Sequence, residues 1–133
     1  MQVIESAYCT SAAFADSRTL VTGSFDYMVR LWTVKPHNNA SASQRNVVRS
    51  PRLTLTHIMR AHTGTVLSVA ASRSWSLAVS GSQDGSAVVW DLNRGVYVRS
   101  IYHGENSNSA VHLVAINEST VSHELFLMSR DIY

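Results

Sequence analysis

Two stretches of this chain spell the same phrase. Val21-Thr22-Gly23-Ser24-Phe25-Asp26 returns as Val79-Ser80-Gly81-Ser82-Gln83-Asp84, and Trp32 and Trp90 follow the two copies at equal spacing, all at one offset of 58. In the same comparison Ala12-Ala13 falls on Ala70-Ala71. Each copy reads Val, Thr or Ser, Gly, Ser, a variable residue, Asp, five further residues, then Trp. Between the copies lies the stretch from Lys35 to Arg52, which holds both prolines and the single lysine. It has no regular apolar period and reads as a loop insertion at 35–52. Removing it leaves a period of about 40 residues, a length at which propellers and helical arrays repeat. The interval from His62 to His103 gives a second ruler of nearly the same length.

The local pattern chooses between them. Thr65 to Ala70, Ser76 to Ser80, Ser86 to Trp90 and Val96 to Tyr102 are short segments, the last two rich in β-branched and aromatic residues. Gln83-Asp84-Gly85 and Asn93-Arg94-Gly95 supply turns between them. Leu53 to Met59 begins with an alternating Leu-Thr-Leu-Thr run and predicts the strand before this set. No segment carries a 3.6-residue apolar stripe of helical length. The chain is expected to be all-β, with two near-complete four-stranded blades plus the start of a third.

Composition narrows the function classes. The 133 residues are 45% hydrophobic and 15% charged, with a formal net charge of +2, far from a nucleic-acid-binding arm or an acidic tail. No apolar run approaches the ~18 residues of a membrane span, and Met1 to Cys9 has neither the charged nor the apolar region of a secretory signal. Cys9 is the only cysteine, so no internal disulfide forms. It is expected to be a small core residue on the first strand. These features read as a cytosolic chain.

His62, Ser80, Asp84 and Trp90 recur in an order and spacing that resembles the WD-repeat family of β-propellers, with Ala61-His62 at its glycine-histidine position and Trp90-Asp91 as its namesake dipeptide. The resemblance implies that each repeat supplies the outer strand of one blade and three inner strands of the next. It also implies a network in which Asp84 accepts from His62, His62 contacts Ser80, and Ser80 reaches the Trp90 indole. Buried polar groups need such partners, and a fully satisfied network fixes one geometry. The first unit keeps Thr22, Asp26 and Trp32, but its aligned histidine position falls on Ile4.

The wording of the strands is closer still to one group. Phe14 to Gly23, Val29 to Val34, Val69 to Ser76, and Asp84-Gly85 leading to Trp90 to Arg94 resemble the C-terminal propeller of BEACH-domain proteins, the beige and neurobeachin group, in its fungal form. The resemblance covers roughly residues 4 to 117. It implies a non-enzymatic scaffold in vesicle traffic, vacuolar or lysosomal sorting, or autophagy, cytoplasmic and peripheral on endomembranes as part of a larger protein. An unrelated WD-repeat adaptor, in ubiquitin ligation or RNA processing, and a truncated product without independent activity are the alternatives.

A third unit opens at Ala110, whose run to Ala115 overlays Thr65 to Ala70 at an offset of 45. Leu125 to Ser129 is expected to be its second strand, with Ser129 in the network position, and no Trp follows. Blade units are thus expected at about 4–59, 60–102 and 110–133, with a divergent tail at 118–133, and both ends read as cut. Two blades and a fragment leave two open faces, and repeat folds usually need three stacked units.

Other chemistries fit less well. Ser80, His62 and Asp84 could form a hydrolytic triad, but no nucleophile elbow surrounds the serine. His57 and His62, or His103 and His112, make no recognised metal cluster. Ser50 between Arg49 and Arg52 could be a phosphorylation site in the loop. No cofactor is expected. Partners are expected to be other proteins and the missing blades of a propeller, with no nucleic acid and only indirect membrane contact. Candidate protein-binding residues are Arg18, Phe25, Tyr27, Arg73, Trp75 and Gln83, all in turns between predicted strands.

Overall fold

The structure is a computed structural model, and it describes residues 8–35, 52–102, 109–117 and, as backbone, 125–129. The first sheet holds β1 (Cys9–Asp16), β2 (Thr19–Ser24), β3 (Met28–Lys35) and β4 (Arg52–Arg60) in sequential antiparallel order. The second repeats that meander with β5 (Val66–Ser72), β6 (Leu77–Ser82), β7 (Ser86–Asp91) and β8 (Val96–Tyr102). A third begins with β9 (Val111–Ile116) paired to β10 (Leu125–Ser129). The two complete sheets and the incomplete third are the partial propeller that the repeat predicted. The loop insertion at 35–52 apart from its end residues, the tail at 118–133 apart from β10, and the Ser50 site lie outside the described residues.

The turns form where backbone freedom permits. Gly85 closes the β6–β7 hairpin at φ +84° and Gly95 the β7–β8 hairpin at φ +64°, the left-handed region that glycine enters without a Cβ penalty. The place of Gly85 in the first sheet is taken by Tyr27, held at φ +73°.

The sheets meet along their inner strands. β1 packs against β5 and β5 against β9, while the outer strands β4 and β8 barely approach each other, so the sheets fan apart. Alternation of side chains assigns the faces. Val21, Val29, Leu31 and Met59 of the first sheet pack with Val66, Val69, Val88 and Trp90 of the second. Val79, Ala87 and Val89 pack in turn with Val111 and Val114. A Cβ on Gly23 would fall 2.3 Å from Val66 Cγ1, and one on Gly81 would fall 2.7 Å from Val111 Cγ1. The same strand position is therefore left bare in both sheets so that the next inner strand can close on it. The Oγ atoms of Ser11 and Ser68 accept the backbone N–H of Val69 and Val114, joining neighbouring sheets at equivalent points.

The repeat offset needs one correction. Ala13 lies opposite Val21 as Ala70 lies opposite Val79, so Ala13 matches Ala70, and β1 and β5 correspond one position short of the offset that holds for the later strands. The turn between β1 and β2 is shorter than its counterpart, and a one-residue slip puts every side chain on the other face. Ala12 is accordingly exposed, while Ala13 packs against the core.

Cys9 is not a core residue. It is exposed, on the face of the first sheet turned away from the second. With Ala12, Leu20, Thr22, Ser24, Arg30, Trp32 and Leu53 it lines a cavity of ≈ 350 Å³. The equivalent face of the second sheet is covered by the first, whereas no described element covers this one. Phe14, at 64% exposure, stands on the same face.

Candidate functional site

The second sheet carries an unbroken polar relay. The loop entering β5 delivers His62, β6 delivers Ser80, the β6–β7 turn delivers Asp84 and β7 delivers Trp90. Trp90 Nε1 donates to Ser80 Oγ at 2.8 Å, and Ser80 Oγ lies 2.6 Å from His62 Nε2. His62 Nδ1 lies 2.9 Å from Asp84 Oδ2. An indole can only donate, so the serine accepts that proton and gives its own to Nε2, leaving Nδ1–H to face the carboxylate. Asp84 also takes the amides of Thr63 and Ser86 and the Ser86 hydroxyl, while its own amide donates to Ser82 Oγ. The ring of His62 meets Trp90 edge-on at 6.3 Å, and Tyr97 meets the indole from another side at the same distance.

Electrostatics follow from the burial. Desolvation pushes the His62 pKa below its ordinary value despite the opposing pull of Asp84, so the imidazole is neutral, as the relay requires. Burial by itself would raise Asp84. The Ser86 hydroxyl, the Thr63 and Ser86 amides and His62 outweigh it and hold the carboxyl below the usual range.

The first sheet solves the same problem differently. Trp32 Nε1 donates to Thr22 Oγ1 at 2.8 Å, as the family resemblance implies. Asp26, however, is met by an arginine. Arg30 stands where the second sheet has Val88, directly opposite Thr22, and its guanidinium reaches Asp26 at 2.5 Å and Ser24 Oγ at 2.7 Å. Ser24 Oγ also donates to Asp26. Arg30 foremost, then the other bonds against the cost of burial, lowers the Asp26 pKa to about 2. Thr22–Trp32 and Asp26–Arg30 thus form two separate pairs rather than a relay. Arg30 is only 7% exposed, and its Nε has no hydrogen-bond partner among the described residues. The loops share one contact: Phe25 N–H donates to Tyr8 O as Gln83 N–H donates to Thr65 O. Ile4, the aligned histidine position, lies outside the described residues.

These contacts decide what the constellation can do. Ser80 is fully buried, its oxygen is engaged by Trp90 and its proton by His62. A nucleophile needs open approach to its substrate, and here the surrounding sheet occupies it. His57 is likewise engaged, since its ring covers Gly95 so closely that a Cβ there would fall 2.2 Å from Cγ. Asp91, of the namesake dipeptide, takes no part in the relay and instead caps the β7–β8 turn by accepting from the Asn93 and Arg94 amides.

The six candidate binding residues fall on two opposite edges. Arg18, Arg73 and Trp75 occupy the turns that close β1–β2 and β5–β6. Phe25, Tyr27 and Gln83 occupy the turns that close β2–β3 and β6–β7, beside the relay. They do not make one surface. Arg73 has an internal role as well: Nε bonds Asp16 Oδ2 and Nη2 bonds Thr19 Oγ1, both at 2.7 Å, tying the second sheet to the first. Asp16 is held below the ordinary carboxyl range by the Arg18 amide first and by Arg73 next. Trp75 is 37% exposed. Sequence reasoning missed Ser86 and Arg30. The signal for Arg30 was its spacing: two residues before Trp32 on a strand, it shares the face of the indole.

Comparison with known proteins gives a concordant result. Residues 4–33 and 53–91 match the family described as "WD domain, G-beta repeat". The second match runs from β4 through β7, the outer strand of one sheet and three inner strands of the next. Among curated relatives, Beige protein homolog 1 of Schizosaccharomyces pombe is 31% identical over 98 residues, 74% of this chain and 3% of that protein. BEACH domain-containing protein B of Arabidopsis thaliana is 32% identical over 111 residues, 78% of this chain and 4% of that protein. WD repeat- and FYVE domain-containing protein 4 of Homo sapiens is 28% identical over 114 residues, 86% and 3% respectively. The chain spans only 3 to 4% of the length of these relatives.

Proposed function

The chain belongs to the WD-repeat family, and from that premise we propose that it is a non-enzymatic protein-interaction scaffold, the propeller portion of a BEACH-type protein in vesicle traffic, vacuolar or lysosomal sorting, or autophagy. One observation carries the scaffold reading: the residues with reactive chemistry are consumed inside the blade. His62, Ser80 and Asp84 satisfy one another and Trp90, which leaves the turn residues at the two edges to meet other molecules. Its partners are other proteins and further blades, its place is the cytoplasm, and its contact with endomembranes is indirect.

The test is cellular. The chromosomal gene is altered to Trp75→Ala or Tyr27→Ala, and delivery of a fluorescent reporter to the vacuole or lysosome is followed. The expected result is slowed delivery with unchanged protein abundance. Normal delivery in a strain lacking the gene, with a defect in ubiquitin-dependent turnover or RNA maturation instead, would overturn the trafficking assignment.

A further inference from the structure

The two edges of the sheets differ in charge. On the edge that carries the β1–β2, β5–β6 and β7–β8 turns, the described residues place five cations, Arg18, Lys35, Arg52, Arg73 and Arg94, against two carboxylates, Asp16 and Asp91. On the opposite edge Arg60 and Arg30 face Asp26 and Asp84, in balance.

Backbone pairing and the contacts of Arg73 link these five positions in turn along the edge. Arg52 and Lys35 are cross-strand neighbours. The amide of Val34, next to Lys35, donates to Arg18 O at 2.7 Å. Arg73 grips Asp16 and Thr19 beside Arg18 and extends Nη1 to Asn93 Oδ1 at 3.3 Å, beside Arg94. Both carboxylates of this edge are already engaged, Asp16 by Arg73 and the Arg18 amide, Asp91 by the Asn93 and Arg94 amides. Arg18, Lys35, Arg52 and Arg94 are exposed, and among the described residues none of them has a carboxylate within ion-pair distance. A row of uncompensated cations is unfavourable to the blade itself through mutual repulsion and is relieved by an external anion.

We propose that this edge docks an acidic, extended segment of a partner protein, laid across the turns of adjacent blades. An extended chain turns alternate side chains to one face, ~6.6 Å apart, so every second acidic residue is within reach of the long Arg and Lys side chains of this edge. The turns of this edge present Ser17-Arg18, Ser74 and Asn93-Arg94, with Trp75 of the β5–β6 turn 37% exposed among them, a mixture of cations, polar groups and one aromatic that suits a peptide. The proposal rests on the reading of this chain as a protein-interaction scaffold and names the chemistry of one partner.

The experiment uses the full chain and a fluorescein-labelled oligoglutamate peptide, followed by anisotropy at about 50 mM and about 200 mM salt. Saturable binding is expected, weakened roughly tenfold by the added salt. The Arg18→Glu/Arg94→Glu double variant should weaken it at least ~10-fold, and Lys35→Glu alone by ~3-fold, while Arg60→Glu on the opposite edge changes it less than ~2-fold. Thermal unfolding of each variant checks that it folds; Lys35→Glu, at a strand end, keeps the test alive should the double variant fail. Absence of peptide binding, equal loss with Arg60→Glu, or binding to phosphatidylserine vesicles without peptide binding overturns the proposal. If the peptide does not bind while vacuolar delivery still responds to Tyr27→Ala, the acidic partner falls and the scaffold reading stands.

Discussion

Gly23 lies against Val66 so closely that a methyl group on it would be 2.3 Å from Val66 Cγ1. The contact joins the second strand of one sheet to the innermost strand of the next, and Gly81 with Val111 repeats it. Gly23→Ala should destabilise the chain by about 1–3 kcal/mol, the cost of overpacking a fitted core. Urea unfolding measures it, and Val66→Ala in the same chain should return part of the loss. Equal stability of Gly23→Ala and the parent would show that the sheets can part freely at this seam.

The two indole pairs should differ in worth. Ser80→Ala removes the acceptor of Trp90 Nε1–H and the donor to His62 Nε2 at a fully buried site, with an expected cost of about 2–4 kcal/mol. Thr22→Val removes one bond at a half-buried site and should cost about 1 kcal/mol. Similar losses for both would mean that the relay adds nothing beyond its separate bonds.

Tyr27 occupies the left-handed turn position that Gly85 fills in the second sheet. Holding a bulky residue there costs about 1–2 kcal/mol. Tyr27→Gly should therefore raise the thermal midpoint of the isolated chain by a few degrees, although the aromatic ring on that edge is lost. A lowered midpoint would show that the packing of the ring outweighs the strain.

Much of this was legible in the repeat. The Gly-Ser-x-Asp turn, the Trp at fixed distance and the alternating Leu53 to Thr56 run placed the strands, because each feature is local. The relay around His62 was legible through the family resemblance, because its four residues stand in the order and spacing of WD repeats. What escaped depended on distance through space. The shortened register of β1 against β5 is set by the length of one turn, to which the matched Val-x-Gly-Ser phrase is blind. Arg30 reads as an ordinary surface cation until its face is known to be shared with Trp32 and Thr22. The division of Arg18, Arg73 and Trp75 from Phe25, Tyr27 and Gln83 follows from strand direction, which residue type does not encode.

Acid should weaken the chain in two stages. Because folded His62 resists protonation, the unfolded chain binds a proton first as pH falls below about 6.5, so the stability its neutral form contributes is present above that pH and is lost as pH falls toward the folded value. Asp84 and Asp26, lowered from 3.8 and the latter to about 2, contribute stability that is lost as pH falls below 3.8. Urea midpoints measured from about pH 8 to pH 3 test this. His62→Gln should flatten the upper stage and leave the lower one; a parent chain equally stable at pH 7.5 and pH 5 would refute the neutral buried imidazole.

The fan arrangement of the sheets also bears on how such a chain can change over generations. Contacts between sheets concentrate on β1, β5 and β9, whereas β4 and β8 scarcely touch. The β3–β4 hairpin is the outermost connection of the first sheet, and residues 36–51 are inserted there. Growth at the circumference leaves the axle undisturbed, whereas a single added methyl at Gly23 or Gly81 collides with the neighbouring strand. Lineages should accordingly accumulate length and novelty at the perimeter while the innermost strands drift only by exchanges of equal volume.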